Sequence, residues 1–257
     1  MRNYLVESAL LAHGLGSLAE EELLHSWPEN NKQIVWLEKG TITVGGMEQF
    51  CEFRKAAIKN EYGRVNYCNF NEYIQTGKSG VLTASGTMHV CETYKLPIAV
   101  TCGIGGLMKG GSLNNCHDIQ ALSVSPISLI ATSPKDMFDL DETIKITIES
   151  GITVLGYDTD TCDGYLFHGE KIKLSGCWND NRELSEKLLL LRAIPEQDRI
   201  SDREILKHAC IYGKQQEQAG KYYHPAVNAK IDQMTRGKSS KIQLESLIQN
   251  IAWAEKL

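Results

Sequence analysis

The stretch LPIAVTCGIGGLMKGG, residues 96–111, is central to the predicted fold. It begins with a short apolar run typical of a buried strand, and five of the eleven residues from Thr101 to Gly111 are glycine. A strand followed by so few side chains exposes backbone N–H groups, which can cradle an anion. A tight turn with no room for side chains explains the glycines equally well. The spacing matches neither the dinucleotide fingerprint nor a phosphate-binding P-loop.

Other apolar runs show the same strand-like character. QIVWLEKGTITVGG (residues 33–46) predicts a hairpin around Lys39 and Gly40. PISLIAT (126–132) and ITVLGY (152–157) predict further strands. Because these strands alternate with helical segments, we expect a mostly parallel sheet.

Helical segments separate and follow these strands. GVLTASGTMHVCETYKL (80–96) predicts a short turn and then a helix that ends before Pro97. DLDETIKITIESG (139–151) predicts a helix closed by Gly151. Two polar-amphipathic helices, opened by Asn and Ser caps, are expected at 179–195 and 201–220, and a last helix at 240–257. In MEQFCEFRKAAIKN (47–60), a predicted helix, one face would carry Phe50, Phe53, Ala57 and Ile58. The fold class predicted is an α/β/α layered sandwich, formed by a single domain over residues 1–257.

Composition narrows the range of functions. The chain has 257 residues and a net charge of −5, and it has no basic run that would attract nucleic acid or an anionic membrane surface. The N-terminus turns acidic soon after its apolar run, so we do not interpret it as a signal peptide. The eight cysteines are irregularly spaced with no C-x-x-C pair, which favours a reduced, cytoplasmic protein over a disulfide or zinc framework.

Three residues are candidates for chemistry, each with a simpler alternative. Glu7 lies in an apolar stretch, where burial would raise its pKa and suit it to act as a general acid, or it caps the next segment. Asp118 follows the glycine loop, where it holds a divalent cation or caps the next element. Lys135 follows an apolar strand, where it is a desolvated nucleophile or an ordinary surface lysine.

Seven segments in one order give the chain a family resemblance. They are VESALLAHG, GVLTASGTM, TCGIGGLMKGG, HDI, ATSPKDMFDLDETI, ESGITVLGYDTD and GKYYHPAVNAKIDQMTRGKSS. This order resembles the pseudouridine-5′-phosphate glycosidase family, also called indigoidine synthase A-like. The resemblance extends from Glu7 to the closing helix, and it marks the chain as a divergent member.

The resemblance implies a manganese-dependent lyase that reversibly breaks the C–C bond between uracil and ribose 5-phosphate. It implies that Lys135 forms a Schiff base at C1′, that Glu7 is the proton donor, and that Asp118 anchors Mn²⁺ or another divalent cation through its water shell. An iminium at C1′ is the electron sink that a carbon leaving group requires. The resemblance also implies a homo-oligomer, and specifically a trimer, since known members of the family assemble as trimers. The substrate-binding residues it implies are Arg64, Thr83, Ala84, Thr101, Lys109, Gln120, Ala121, Leu122 and Gln243.

The chain departs from the family pattern around the expected substrate. The family has a lysine where this chain has Arg64, and a histidine where it has Met108. Its Ser-Ala-Asp triplet falls at residues 120–122, which read Gln-Ala-Leu here, and its asparagine in the last helix falls at Gln243. Three hypotheses follow: a C-ribosyl lyase, a C-glycosynthase that joins ribose 5-phosphate to another carbon nucleophile, or a non-catalytic protein that binds phosphosugars.

Overall fold

The computed structural model describes residues 2–179, 184 and 186–257, with Asn115 described by its backbone alone. Its strands pair mainly into one large sheet, and short strand pairs lie outside it. In chain order the strands are β1 (Tyr4–Val6), β2 (Ile34–Glu38), β3 (Thr41–Gly45), β4 (Gly63–Val65), β5 (Gly80–Leu82), β6 (Ile98–Val100), β7 (Gly103–Ile104), β8 (Ser128–Ala131), β9 (Ser133–Pro134), β10 (Thr153–Gly156), β11 (Thr161–Cys162), β12 (Ile172–Lys173), β13 (Gly176–Cys177) and β14 (Leu188–Leu191).

Helices connect and cover these strands. A single turn of π-helix spans Leu10–Gly14, and 3₁₀ turns span Leu113–Asn115 and Glu196–Asp198. Among the described residues, no helix has the length and apolar character needed to cross a membrane. The α-helices are α1 (Glu20–Ser26), α2 (Met47–Lys59), α3 (Phe70–Gln75), α4 (Ala84–Tyr94), α5 (His117–Val124), α6 (Leu140–Glu149), α7 (Arg203–Gln218), α8 (Tyr223–Met234) and α9 (Lys238–Ala254).

The large sheet is mostly parallel. Its order is β13-β10-β14-β8-β6-β1-β2-β5-β4, with β3 pairing to β2. Every neighbouring pair from β13 to β2 is parallel, whereas β5 and β3 run antiparallel to β2. Helix α4 packs on β1, β5 and β6, helix α9 on β6 and β8, and helix α6 on β10. The α/β fold predicted from the sequence is therefore confirmed.

The antiparallel step at β2 brings strand ends together. The pairing between β1 and β2 is limited to Val6, the last residue of β1, and Ile34, the first residue of β2. Strand β2 therefore extends beyond the carboxyl end of β1. β5 runs back along that extension, with Val81 opposite Trp36. Its last residue, Leu82, exchanges hydrogen bonds with Ser8, whose hydroxyl accepts from the Leu82 N–H. The carboxyl ends of β1 and β5 therefore meet, at the kind of crossing where α/β proteins bind ligands.

Most individual elements confirm their predictions. The 33–46 hairpin forms as β2 and β3, with Lys39 and Gly40 at positive φ in its turn. The strands predicted at residues 96–111, 126–132 and 152–157 are present as β6, β8 and β10. Helix α6 is followed by Gly151 at φ +81°, a conformation that glycine adopts freely. Single-domain organisation and the homotrimer stay predictions.

Four predicted details are wrong. Residues 80–82 form β5 rather than a turn, because they pair with both β2 and β4. Leu188–Leu191 form β14 rather than part of a helix: four consecutive leucines buried between β10 and β8 are typical of a parallel strand. The rest of that predicted helix includes residues 180–183 and 185, which lie outside the described residues. Ile58 is 53% exposed, because it lies about 100° around α2 from Ala57. Helix α7 is capped by Asp202, not by Ser201.

Candidate active site

Two of the candidate residues follow parallel strands on either side of β6. Glu7 follows β1 and Lys135 follows β8 by way of β9, while Thr101 follows β6 between them. The Thr101 hydroxyl donates a 2.5 Å hydrogen bond to Glu7 Oε1. Glu7 is only 6% exposed. The carboxyl and the amine are close enough for each to alter the other's pKa.

Burial shifts the pKa values of these two groups in opposite directions. It raises the pKa of Glu7, and the charge of Lys135 and the Thr101 hydrogen bond only partly oppose this. Burial lowers the pKa of Lys135, reinforced by the guanidinium of Arg64 and opposed by Glu7 and Asp118. Both shifts favour the uncharged forms, a carboxylic acid beside a free amine. A free amine is a nucleophile, and a carboxylic acid can donate a proton to a departing oxygen.

Asp118 lies in the first turn of α5 and faces the glycine loop. Its Oδ1 accepts from the backbone N–H of Ser85 at 3.1 Å, and its Oδ2 accepts from the N–H of Gly105 at 2.9 Å. The Ser85 N–H belongs to the amino-terminal turn of α4, where the helix dipole favours a negative charge. Asp118 therefore links the start of α4 to the loop that follows β6.

The glycine loop is shaped by close approach of side chains. A Cβ atom on Gly103 would lie 2.8 Å from Cζ of Tyr165 and 3.0 Å from Cγ of Lys135. A Cβ on Gly105 would lie 3.4 Å from Oδ2 of Asp118. Of the two explanations for the glycines, tight packing is therefore visible in the structure. Gly103 and Gly105 therefore keep side-chain atoms away from Lys135 and Asp118.

We expect Gly103→Ala to impair both stability and the reactivity of Lys135. Real Cβ atoms do not approach other atoms as closely as 2.8 Å, so Tyr165 or the Lys135 stem must move. Overpacking of this kind costs about 1–3 kcal/mol. Urea unfolding checks the first effect and chemical labelling of Lys135 the second. Gly16→Ala is the control, since a Cβ there meets nothing within 4 Å; equal behaviour of the two variants would contradict the prediction.

The other predicted binding residues fall into different environments. Arg64, on β4, is partly buried beside the cluster, and its charge interacts with Glu7 and Asp118. Thr83 caps α4 by accepting from the Gly86 N–H, and Ala84 is the first, buried residue of that helix. These three are placed with Thr101 around the same strand ends, and their predicted roles in binding stay predictions.

The remaining predicted residues are not brought to the cluster by any described contact. Lys109 is exposed, as is Met108 beside it. The Gln120 side chain donates to Asn114 in an exposed hydrogen bond. In the core lie Ala121, Leu122 and Gln243, the last accepting a hydrogen bond from the Tyr165 hydroxyl at 3.2 Å.

Two residues at the site were not identified from the sequence. His224, in the first turn of α8, places Nε2 3.0 Å from Nζ of Lys135. Asn250, in α9, donates to the backbone carbonyl of Thr101 at 2.8 Å and to Oγ1 of Thr132 at 3.1 Å. A signal for Asn250 was present, since a polar residue lies there between Leu247 and Ile251 on a buried helix face. His224 had no such signal, because its helix was not predicted.

Of the cluster residues, only Lys135 borders a described cavity. One of about 230 Å³ is bordered by Lys135, Asp136, His168 and Arg203, among others. Another of about 540 Å³ lies between the chain after β14 and helix α9. Neither has Glu7 among its described lining residues. The chemical groups, rather than a large open cavity, define the candidate site.

Comparison with known proteins identifies relatives of this chain. A family model described as indigoidine synthase A like protein matches residues 7–257. The pseudouridine-5′-phosphate glycosidase of Legionella pneumophila is 25% identical over 271 residues, covering 96% of this chain and 86% of that protein. The enzyme of the same name from Thermus thermophilus is 23% identical, with coverage of 98% and 95%.

Two solved structures share the fold. An indigoidine synthase A-like protein from Thermotoga maritima superposes with a TM-score of 0.76 at 20% identity, covering 99% of this chain and 91% of that one. The prealnumycin C-glycosynthase AlnA, solved in complex with ribulose 5-phosphate, also gives 0.76, at 18% identity and coverage of 99% and 90%.

Fold and site together define an α/β protein whose candidate active centre combines the partly buried Lys135 with the buried carboxyl group of Glu7 at converging strand ends. The chain belongs to the indigoidine synthase A-like family. With 25% identity to the Legionella pneumophila protein, it is a divergent member.

Proposed function

We propose that this protein reversibly cleaves the C–C bond between a nucleobase and ribose 5-phosphate through a Schiff base on Lys135. The observation that carries the proposal is the enclosed Lys135 amine beside Glu7, with pKa shifts that favour a free amine and a carboxylic acid. The relatives named as pseudouridine-5′-phosphate glycosidases support this choice of substrate class. Pseudouridine 5′-phosphate, or a related C-nucleoside phosphate, is the proposed substrate.

Glu7 supplies the proton for opening the sugar ring. The departing ring oxygen carries negative charge as its bond to C1′ breaks, and a carboxylic acid in reach can neutralise it. The raised pKa of Glu7 keeps that proton available at a higher pH than an exposed glutamate would. The Thr101 hydroxyl, which donates to Oε1, fixes the orientation of the carboxyl group.

Lys135 provides the electron sink. In the synthetic direction its amine attacks the C1 aldehyde of the open sugar, and loss of water leaves an iminium. A carbon nucleophile then forms the new bond to C1, and the C=N electron pair returns to nitrogen. Closure of the sugar ring through its C4 hydroxyl then breaks the C–N bond and frees the protonated Lys135 amine. In the cleavage direction the Lys135 amine bonds to C1′ as the ring C–O bond breaks, with Glu7 protonating the ring oxygen. After the nitrogen loses a proton its lone pair forms the iminium, and the base leaves with the electrons of the C–C bond and gains a proton. Water then hydrolyses the iminium and releases ribose 5-phosphate from Lys135.

Arg64 is the proposed partner for the sugar phosphate. Its guanidinium stays protonated and offers paired N–H donors that suit phosphate oxygens. The roles proposed for Thr83, Ala84, Thr101, Lys109, residues 120–122 and Gln243 in holding the substrate rest on the family resemblance.

A divalent cation such as Mn²⁺ fits beside Asp118 through a single carboxylate. Each Asp118 oxygen accepts one backbone hydrogen bond, which leaves acceptor capacity on both. Across the described residues, no three His, Cys, Asp or Glu side chains cluster as metal ligands. The ion would therefore complete its shell with water and substrate oxygens, as Mg²⁺-like cations often do. When bound, it would neutralise charge on those oxygens.

We expect chelation with EDTA to lower turnover, and added Mn²⁺ to restore it. Asp118→Asn should abolish the Mn²⁺ response while leaving the fold intact, since the amide oxygen can still accept one backbone hydrogen bond. The matched control is Asp141→Asn, an exposed carboxylate on α6. Measurement of turnover against Mn²⁺ concentration decides the point: an unchanged response in Asp118→Asn would remove Asp118 from the metal site.

The second candidate function is C-glycosynthase activity. The likeness in fold to AlnA favours it, as do the substitutions at Arg64, Met108, Leu122 and Gln243 relative to the family pattern. Such an enzyme uses the same lysine chemistry but a different carbon nucleophile.

Two assays separate these functions. The protein is incubated with pseudouridine 5′-phosphate, and uracil release is followed by chromatography, with unphosphorylated pseudouridine as control. In parallel, borohydride traps any adduct between ribose 5-phosphate and Lys135, located by peptide mass spectrometry. Phosphate-dependent uracil release supports the lyase. A Lys135 adduct without uracil release supports the synthase, and absence of both results would refute the Schiff-base mechanism.

A further inference from the structure

His224 lies at the amino terminus of a helix and points toward the proposed nucleophile. It is the second residue of α8, followed by Pro225, a residue favoured in the first helical turn. Its Nε2 is 3.0 Å from Nζ of Lys135 and 3.4 Å from Nη1 of Arg64. The mechanism above assigns His224 no role.

The two partners determine the protonation state of this imidazole. Arg64 can only donate, so Nε2 must accept and the ring proton lies on Nδ1. Burial lowers the pKa of His224 well below its usual range, the positive charge of Arg64 lowers it further, and a proton on Lys135 would do the same. The amino terminus of α8 disfavours an added cation as well. The imidazole is therefore neutral at rest and presents its free lone pair to the two donors.

This arrangement also orients the Lys135 amine. An N–H of Lys135 that donates to Nε2 leaves the nitrogen lone pair free to point elsewhere. The charges nearby act on the same group: Glu7, Asp118 and Arg64 all influence the Lys135 amine. Among these groups, His224 Nε2 is the one described hydrogen-bond acceptor within 3.5 Å of Nζ.

We propose that His224 is a further catalytic residue, which carries the proton that Lys135 must lose and return during Schiff-base formation. This inference rests on the proposed function. Attack of the amine on the C1 aldehyde forms the C–N bond and gives a positively charged nitrogen and an alkoxide. His224 Nε2 accepts one proton from that nitrogen, and Glu7 protonates the alkoxide, giving a neutral carbinolamine.

The same proton then assists the loss of water. Imidazolium Nε2 donates it to the hydroxyl of the carbinolamine, the C–O bond breaks, and the nitrogen lone pair forms the iminium. The sum is one aldehyde and one amine converted to iminium and water, with the proton from Glu7 retained in the water. The nearby positive charge of Arg64 makes the imidazolium a strong acid and hence short-lived.

The experiment measures how fast the Lys135 adduct forms. Wild type and His224→Gln are mixed with ribose 5-phosphate, quenched with borohydride at set times and analysed by peptide mass spectrometry from pH 6 to 9. His208→Gln, an exposed histidine on α7, is the control. His224→Asn is a second variant, and thermal unfolding identifies which variants fold.

We expect His224→Gln to form the adduct roughly a hundredfold more slowly, the usual scale for a lost acid–base group. Its apparent affinity for ribose 5-phosphate should stay within about threefold, since the amide still accepts a hydrogen bond. The wild-type rate should level off as pH rises, while the variant's rate keeps rising as hydroxide replaces the imidazole.

Other outcomes separate the two proposals. An adduct in the wild type with an equal rate in a folded His224 variant would overturn the role of His224 alone. A slower rate with weakened affinity and an unchanged pH profile would make His224 a positioning residue and also overturn the inference. No adduct in the wild type would instead refute the proposed function.

Discussion

Lys135→Met is expected to abolish the ribose 5-phosphate adduct and to lower turnover by on the order of 10⁴-fold or more. Methionine keeps an unbranched stem that packs against Gly103 but has no amine, so the electron sink cannot form. A loss of 10⁴ corresponds to about 5.4 kcal/mol of transition-state stabilisation, at about 1.36 kcal/mol for each factor of ten. No other described group can replace a covalent step.

The fold should survive this change. Burial of the Lys135 amine opposes its charge, as the lowered pKa indicates, so replacing it by an uncharged side chain removes a desolvation cost. We therefore expect the melting temperature of Lys135→Met to equal or exceed that of the wild type. A loss of activity with an intact fold would then be attributable to the amine.

Lys145→Met is the matched control, because Lys145 is an exposed lysine on α6. Turnover, peptide mass spectrometry after borohydride and thermal unfolding are compared among the three proteins. Full turnover in a folded Lys135→Met variant would exclude the Schiff-base mechanism outright. Loss of turnover in both lysine variants would indicate an unspecific effect of losing positive charge.

The sequence was sufficient for much of the fold because its signals were local. The hairpin turn contains Gly40 and helix α6 is followed by Gly151, and both glycines adopt freely the left-handed backbone conformation found at these positions. Leu188–Leu191 show the limit of local reasoning. Leucine favours helices, yet β14 forms because strands β10 and β8 flank it, and those partners are distant in sequence.

The candidate site shows the same limit. Glu7 and Lys135 were identified through the family resemblance, but the opposed pKa shifts depend on burial and on neighbours as far as 128 positions apart in the sequence, which no single segment encodes. His224 and Lys135 are 89 residues apart, and Asn250 and Thr101 are 149 apart. Contacts of that separation arise only from the complete topology. The antiparallel pairing of β5 with β2 likewise joins segments that are distant in the sequence.

Glu7→Gln provides the second large effect, through both activity and stability. Glutamine is nearly isosteric and its amide oxygen can still accept from the Thr101 hydroxyl, so the local geometry is kept. It has no acidic proton to give to the departing oxygen. We expect turnover to fall by about 10²–10⁴-fold, the range typical of a lost general acid.

The stability of Glu7→Gln, unlike its activity, should increase relative to the wild type as the pH rises. The pKa of Glu7 is raised on folding, so above its ordinary pKa the unfolded chain releases a proton that the folded protein still holds. The free energy of unfolding of the wild type therefore decreases with pH until the raised pKa is passed. Glu7→Gln lacks this dependence, so its stability relative to the wild type should increase from pH 4 upward. Loss of the Glu7 charge also lowers the pKa of Lys135 further, and this adds to the rise in the variant's relative stability with pH.

Urea unfolding at pH 4, 6 and 8 measures this difference, with Glu21→Gln as an exposed control on α1. The expected pattern is a variant that is inactive yet gains stability over the wild type as pH increases. Such a pattern means that burial of Glu7 is maintained for chemistry at the expense of stability, as at many active sites. If instead the variant lost stability at every pH, Glu7 would be an ionised structural carboxylate, and its role as the acid would have to be abandoned.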